Sequence, residues 1–167
     1  MHRLLIIRHA KSDWPEGVPD HERPLGRRGE RDAPAVGRWL TSEDFLPQSV
    51  WVSTAKRTRE TWELISQQLP EQPPANFLEQ IYAAHWTELL QVVQDMPEES
   101  TTAALIGHNP GCEDLASALV SAGDQTARYE MAYKFPTSGV AVIEVNDRWS
   151  EISPGDGTLI DFQAPRG

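Results

Sequence analysis

A chain of 167 residues with one cysteine, Cys112, and a formal net charge of −10 is sized for a single domain over 1–167. These values exclude an internal disulfide and a cysteine zinc site, and they argue against general nucleic-acid binding. Hydrophobic residues at 39% and charged residues at 24% describe a water-soluble domain, and the apolar runs are strand-sized, too short for a membrane span.

Leu4-Leu5-Ile6-Ile7 is a continuous apolar run and predicts a buried strand. His2 and Arg3 lead straight into it without the layout of an export signal, so a cytoplasmic, monomeric protein is expected. The polar segment Lys11 to Gly26 reads as a long loop of functional rather than accidental length, with closure over the site as a partial lid left open. Ala33, Val36, Trp39 and Leu40 predict a helix over Glu30 to Thr41, with Arg27, Arg28 and Arg31 as solvated charges. Val50-Trp51-Val52 is a second strand, and Leu64, Ile65 and Leu69 share one face of a helix from Thr58 to Leu69. Pro70 to Pro74 breaks the chain before an extended segment, Asn76 to Ile81. Leu89, Leu90, Val92 and Val93 give a helix over Trp86 to Met96. Thr102 to Ile106 is a third strong strand, closed by Gly107-His108-Asn109-Pro110-Gly111, and Leu115, Leu119 and Val120 mark the helix that follows. Gly139 to Val145 and Thr158 to Phe162 are the last strands. This alternation of strand and helix predicts a layered α/β fold.

The three strongest strands end in related chemistry. The first ends in Arg8-His9, the second leads through Ser53 to Lys56-Arg57-Thr58, and the third ends in Gly107-His108. Right-handed crossovers in a parallel sheet put these ends on one edge, where ligands of open α/β sheets bind. Two arginines and two histidines then share one crevice, which suits chemistry on an anion, phosphate first. The charge distribution agrees: residues 1–59 carry a balance of +3 and residues 60–167 a balance of −13.

Arg8-His9-Ala10 resembles the signature tripeptide of the histidine phosphatase superfamily, which includes cofactor-dependent phosphoglycerate mutase and many phosphatases. The segment from Ser53 to Thr61 is similar to its second motif and Gly107-His108-Asn109-Pro110 to its third, while Arg23-Pro24-Leu25 followed by Gly29 resembles the lead-in to its first helix. Within that superfamily the short length, the Arg8-His9-Ala10-Lys11-Ser12-x-Trp14 opening and the Asp20-x-x-Arg23-Pro24-Leu25 segment resemble the SixA-type phosphohistidine phosphatases. The resemblance implies a three-layer α/β/α sandwich with a mostly parallel central sheet, phosphoglycerate mutase-like, and a covalent phosphohistidine intermediate on His9.

The residues carry roles consistent with that implication. His9 is the expected nucleophile, attacking through a neutral ring nitrogen. Arg8 and Arg57 suppress its protonation and hold phosphoryl oxygens through charge-assisted hydrogen bonds. His108, protonated with phosphate bound, donates to another oxygen. Ser12, Asp20 and Asn109 are expected substrate contacts, with Thr58 as a minor one and Trp14 as a wall of the pocket. Backbone N–H groups near Asn109, Gly111 and Cys112 are candidate anion donors, although Asn109-Pro110 also reads as a helix cap followed by a first-turn proline. His2, His21 and His85 read as surface or packing residues, and nothing in the sequence calls for a metal or a cofactor.

The general acid is the incomplete part. Leu78-Glu79 lies where the mutase-like branch carries its acid, but that branch's following glycine is missing and Tyr82 follows instead, as in SixA-like chains. Pro15 also stands where that branch has an asparagine. Glu79, Asp13 and Asp20 are the candidates for the acid. An alkoxide leaving group needs a placed acid, whereas a phosphorylated imidazole leaves once its own ring is protonated, so the gap favours P–N bonds. The expected function is hydrolysis of phosphohistidine on a phosphotransfer or signalling protein. The alternatives are a small-molecule phosphomonoesterase of the same superfamily and a non-catalytic phosphate- or phosphoprotein-binding module.

Overall fold

The apolar run near the N-terminus becomes the central strand of a seven-stranded sheet in the computed structural model, which describes residues 1–167. This strand, β1 (His2–Arg8), pairs in parallel with β4 (Thr102–Gly107) on one side and antiparallel with β6 (Val140–Val145) on the other. Beyond β4 lie β2 (Ser49–Ser53) and the edge strand β3 (Ala75–Leu78), both parallel to it. Beyond β6 lie β7 (Gly157–Gln163) and the opposite edge strand β5 (Val120–Gly123). The order is β3-β2-β4-β1-β6-β7-β5, and only β6 runs against the others.

Leu4 to Ile7 form an unbroken apolar run because both faces of β1 are covered. Leu4 and Ile6 pack with α3 (Trp86–Gln94), α4 (Gly111–Leu119) and α5 (Gln125–Tyr133), through residues such as Leu89, Leu115 and Met131. Leu5 and Ile7 pack with α1 (Arg27–Ser42) and α2 (Lys56–Ser66), through Val36, Leu40, Trp62 and Ile65. The alternation of a strand thus builds two cores, one on each side of the sheet, and the three-layer α/β/α sandwich expected from the sequence is the observed fold.

Three segments differ from the sequence reading. The helix expected to run through Val120 stops at Leu119, and Val120–Gly123 joins the sheet as β5. Helix α5 then follows, capped by the Asp124 side chain on the Ala127 amide. Neither element shows in the sequence pattern, since three of the four β5 residues are exposed and α5 buries only Ala127 and Met131. The Lys11 to Gly26 segment is a braced arm rather than a free lid. Ser12 bridges Leu25, the Asp13 amide donates to the Pro24 carbonyl at 2.9 Å, and the Gly26 amide donates to the Lys11 carbonyl at 2.9 Å.

That arm is seated on the first turn of α1, which starts at Arg27 rather than at Glu30. A Cβ on Gly29 would stand 2.1 Å from the Lys11 carbonyl oxygen, so only glycine lets the helix approach the chain just beyond His9. Gly29→Ala is therefore expected to cost about 3 kcal/mol of stability, the upper end for overpacking, measured by urea unfolding. It should also displace Lys11, and with it the chain just beyond His9, from its present position.

Candidate active site

The register of the central strands sets the site. Arg8 lies opposite Gly107 across the β1–β4 pair, so His9 and His108 emerge side by side with ring centroids 5.4 Å apart. The His9 amide donates to the Gly107 carbonyl and the His9 carbonyl accepts from the Ser138 amide, at 3.0 and 3.1 Å. Arg57 arrives from the first turn of α2 just past the end of β2. Thr61, one turn further on, accepts from the Ala10 amide at 3.0 Å and donates to the Arg57 carbonyl at 2.7 Å, tying helix to strand end. Arg8, His9, Ser12, Trp14, Arg57 and His108 line the resulting crevice of about 230 Å³.

His9 has one defined tautomer. Its Nδ1 lies 2.7 Å from the Ala10 carbonyl oxygen, which can only accept, so Nδ1 carries the proton and Nε2 keeps its lone pair. Burial pushes the ring down to about 4; the Ala10 bond opposes this, and Arg57, Arg8 and Arg23 add to it. The arginines therefore assist, as the sequence suggests, but burial is the larger cause.

His108 is held neutral as well, at about 3, by burial first and then by His9 and Arg57. The sequence leads one to expect its protonated form only with phosphate bound. Its Nε2 lies 2.7 Å from Ser53 Oγ, which also accepts from the Ala55 amide at 3.3 Å. The Ser53 hydroxyl hydrogen has no other acceptor, so it points to His108 Nε2 and leaves the proton on Nδ1. That Nδ1 is buried without a protein partner, and so are Arg8 Nε and Arg57 Nε. Arg3 Nε and Ser138 Oγ, which do not line the crevice, are unpaired in the same way, so what suits the crevice to an anion is its lining by Arg8, Arg23 and Arg57 beside two imidazoles.

The remaining expected contacts divide. Ser12 is buried in the crevice wall and its Oγ accepts from Arg23 Nη2 at 2.6 Å, leaving its own hydrogen to donate. Asn109 lines the crevice, but its Nδ2 donates to the Phe135 carbonyl at 2.9 Å, the same carbonyl that accepts from Arg8 Nη1 at 3.0 Å. Its Oδ1 accepts from the Glu113 amide at 3.3 Å, so the Asn109 side chain caps α4 as expected, although Pro110 is the residue directly before the helix. The Cys112 amide donates to the His108 carbonyl at 2.8 Å and is not free for an anion. Thr58 is buried with its hydroxyl on the Ser53 and Ala55 carbonyls, outside the crevice lining. No cluster of three metal-ligating side chains forms.

Asp20 sits at the junction of the site with its surroundings. Its Oδ2 accepts from Tyr82 Oη at 2.5 Å and Arg57 Nη2 at 3.1 Å, its Oδ1 from Arg23 Nη1 at 3.0 Å, and its carbonyl from Arg57 Nη1 at 2.7 Å. The Tyr82 hydroxyl, then the two arginines, hold the carboxyl below the usual carboxylate range. Asp20 is thus ionised, with no proton for a leaving group and no affinity for phosphoryl oxygens. Glu79 is exposed on the short turn after β3 and Asp13 is exposed on the arm, and neither lines the crevice. Tyr82 stands beside His108 instead, with ring centroids 5.6 Å apart. Ser53, Thr61, Arg23 and Tyr82 are the site residues given no role from sequence. Ser53 and Thr61 were within reach, because they flank Arg57 in the second motif.

Two buried neutral imidazoles make stability depend on pH. The unfolded chain takes up protons near 6.5 that the folded chain refuses, so stability is full above 6.5 and falls as pH drops toward 4. The His9 part alone is about 3 kcal/mol. Urea midpoints measured between pH 7 and 4 should show the fall, and a His9→Asn, His108→Asn double variant should lose most of it.

Comparison with known proteins places this geometry. The profile of the histidine phosphatase superfamily (branch 1) matches residues 4–118. An uncharacterized protein of Mycobacterium tuberculosis is 35% identical over 162 residues, covering 96% of this chain and all of the relative. Two solved structures assigned as candidate phosphohistidine phosphatases SixA share the fold. That from Nakamurella multipartita has a TM-score of 0.84 at 27% identity, covering 98% of this chain and 96% of the other. That from Agrobacterium tumefaciens has 0.83 at 26%, covering 98% of each chain. The chain belongs to the histidine phosphatase superfamily and is a hydrolase.

Proposed function

We propose that the protein removes phosphate from phosphohistidine on a partner protein, through a phosphoryl group carried transiently on His9 Nε2. The observation that carries this reading is the neutral His9 ring, fixed by Ala10 so that Nε2 is free, in a crevice lined by the Arg8, Arg23 and Arg57 guanidiniums. In the first step the Nε2 lone pair attacks phosphorus and the bond to the substrate nitrogen breaks, its electron pair leaving with that nitrogen. In the second, water attacks the phosphoryl group and His9 leaves, releasing inorganic phosphate. Arg8, Arg57 and the His108 Nδ1–H hold the phosphoryl oxygens through both steps, so catalysis is positioning and charge stabilisation.

The substrate class rests on two supports. The structural relatives named above carry a phosphohistidine assignment. The carboxylates suggested as acids are either ionised, as Asp20 is, or outside the crevice, as Glu79 and Asp13 are. A site without a placed acid suits an imidazole leaving group better than an alkoxide. A monomeric enzyme in the cytoplasm, acting on a phosphotransfer or signalling protein, completes the proposal. No helix is long and apolar enough to cross a membrane.

Steady-state rates on a phosphohistidine-bearing protein should exceed those on sugar phosphates and nucleotides, and a clear preference for the esters overturns the substrate assignment. Rapid quench with labelled substrate should trap acid-labile phosphate on the wild type and none on His9→Ala. Equal hydrolysis by that variant would end the covalent mechanism. Arg57→Ala is expected to lower kcat/KM by about 10²–10³, the cost of one charge-stabilising donor. Its Tm should move by only a few degrees, since Arg23 and Tyr82 still hold Asp20. Unfolding of Arg57→Ala with normal turnover per folded molecule would make Arg57 a structural residue.

A further inference from the structure

A second cleft of about 460 Å³ adjoins the crevice and shares Arg57, His108 and Asn109 with it. Its other walls include Asp20, Tyr82 and His85. The ring-to-ring path His9, His108, Tyr82 runs from one space into the other in steps of 5.4 and 5.6 Å. A group leaving phosphorus away from His9 therefore has this cleft to enter.

The cleft holds one fixed anion. Asp20 has about four lone-pair sites, of which Tyr82 and Arg57 take two on Oδ2 and Arg23 takes one on Oδ1. One acceptor site on Oδ1 is left, on a side chain that is 49% exposed. The charged and titratable groups facing it are Arg23, Arg57 and Tyr82, with His85 and His108 across the cleft and His21 edge-on to Tyr82 at 4.8 Å.

We propose that this cleft is the leaving-group site and that Asp20 accepts a hydrogen bond from the distal N–H of a phosphorylated imidazole. The inference rests on the phosphohistidine reading above and adds the residue that sorts leaving groups. The electron balance explains why an acceptor serves here. When the P–N bond breaks, its electron pair goes to the ring nitrogen that carried phosphorus. The ring departs as neutral imidazole only if its other nitrogen already bears a proton. An anion beside that second nitrogen keeps the proton in place, so the leaving group is activated by retaining a proton and the enzyme donates none. The same anion repels leaving groups that carry a carboxylate.

Three substrates test this on the intact protein: N-phosphoimidazole, p-nitrophenyl phosphate and 2-phosphoglycolate, whose leaving groups are a neutral N–H imidazole, a p-nitrophenolate that has no distal N–H and no carboxylate, and a glycolate that carries a carboxylate. Asp20→Asn is expected to lower kcat/KM for N-phosphoimidazole relative to p-nitrophenyl phosphate about tenfold, the scale of a half-exposed charge. It should raise the relative rate on 2-phosphoglycolate. The alkaline limb of the N-phosphoimidazole profile should move to lower pH by about one unit, while that of p-nitrophenyl phosphate stays in place. Tyr82→Phe keeps the charge and should keep the wild-type order of preference. A uniform loss on all three substrates in Asp20→Asn means that Asp20 acts only by bracing Arg57, and it overturns the proposal. So does loss of the preference in Tyr82→Phe. These ratios do not depend on whether a phosphohistidine protein is the best wild-type substrate, so the two readings fail separately.

Discussion

Parallel pairing of β1 with β4 aligns Arg8 with Gly107, and both strands are covered on both faces. A slip of one residue would turn every side chain of β1 to the opposite core, so the register is fixed by burial along the whole strand. The chemistry inherits that precision. His9 and His108 follow directly from the aligned ends, and neither needs a loop search to find the other. The Ser138 amide on the His9 carbonyl and the Phe135 carbonyl under Arg8 extend the same frame to the segment that enters β6.

Arg23 carries the second constraint. It is buried, donates to Ser12, to the Asp13 carbonyl and to Asp20, and lies 3.2 Å from the centre of the Trp14 ring. One guanidinium thereby holds the arm in place, presents Ser12 to the crevice and offsets the Asp20 charge. Its five fixed donors make this possible, and a lysine would offer no such fork. Trp14 is left 75% exposed at the rim, ordered by the cation beneath it rather than by a core around it.

The legibility of the chain follows from how local each cause is. Runs such as Leu4 to Ile7 and Thr102 to Ile106 announce buried strands because both their faces must be apolar, and the strand ends then give Arg8, His9, Arg57 and His108. Segment 120–133 stays silent because an edge strand and a surface helix need few apolar residues. Roles set by distant partners are equally silent. Asp20 looks like an acid candidate until Tyr82, 62 positions away, is seen on its oxygen. The Cys112 amide looks available until the His108 carbonyl takes it. The amount of burial around His9, which outweighs the arginines in lowering its proton affinity, is a property of packing that no local pattern contains.

Burial lowers the proton affinity of both imidazoles, yet their hydrogen-bonding states differ, and the difference lies in one partner each. His9 gives its Nδ1 proton to the Ala10 carbonyl, which cannot reverse the bond, so Nε2 is held as a lone pair. His108 faces a hydroxyl, and Ser53 can either donate to Nε2 or accept from it. Without an anion the hydroxyl donates and His108 is a neutral Nδ1–H donor. A phosphate dianion raises the proton affinity of any imidazole beside it, and a proton added at Nε2 turns Ser53 Oγ into its acceptor at the cost of leaving the buried Ser53 hydroxyl hydrogen unpaired. A backbone carbonyl frees Nε2 of His9 for good, whereas a serine hydroxyl lets the hydrogen bond to His108 run in either direction.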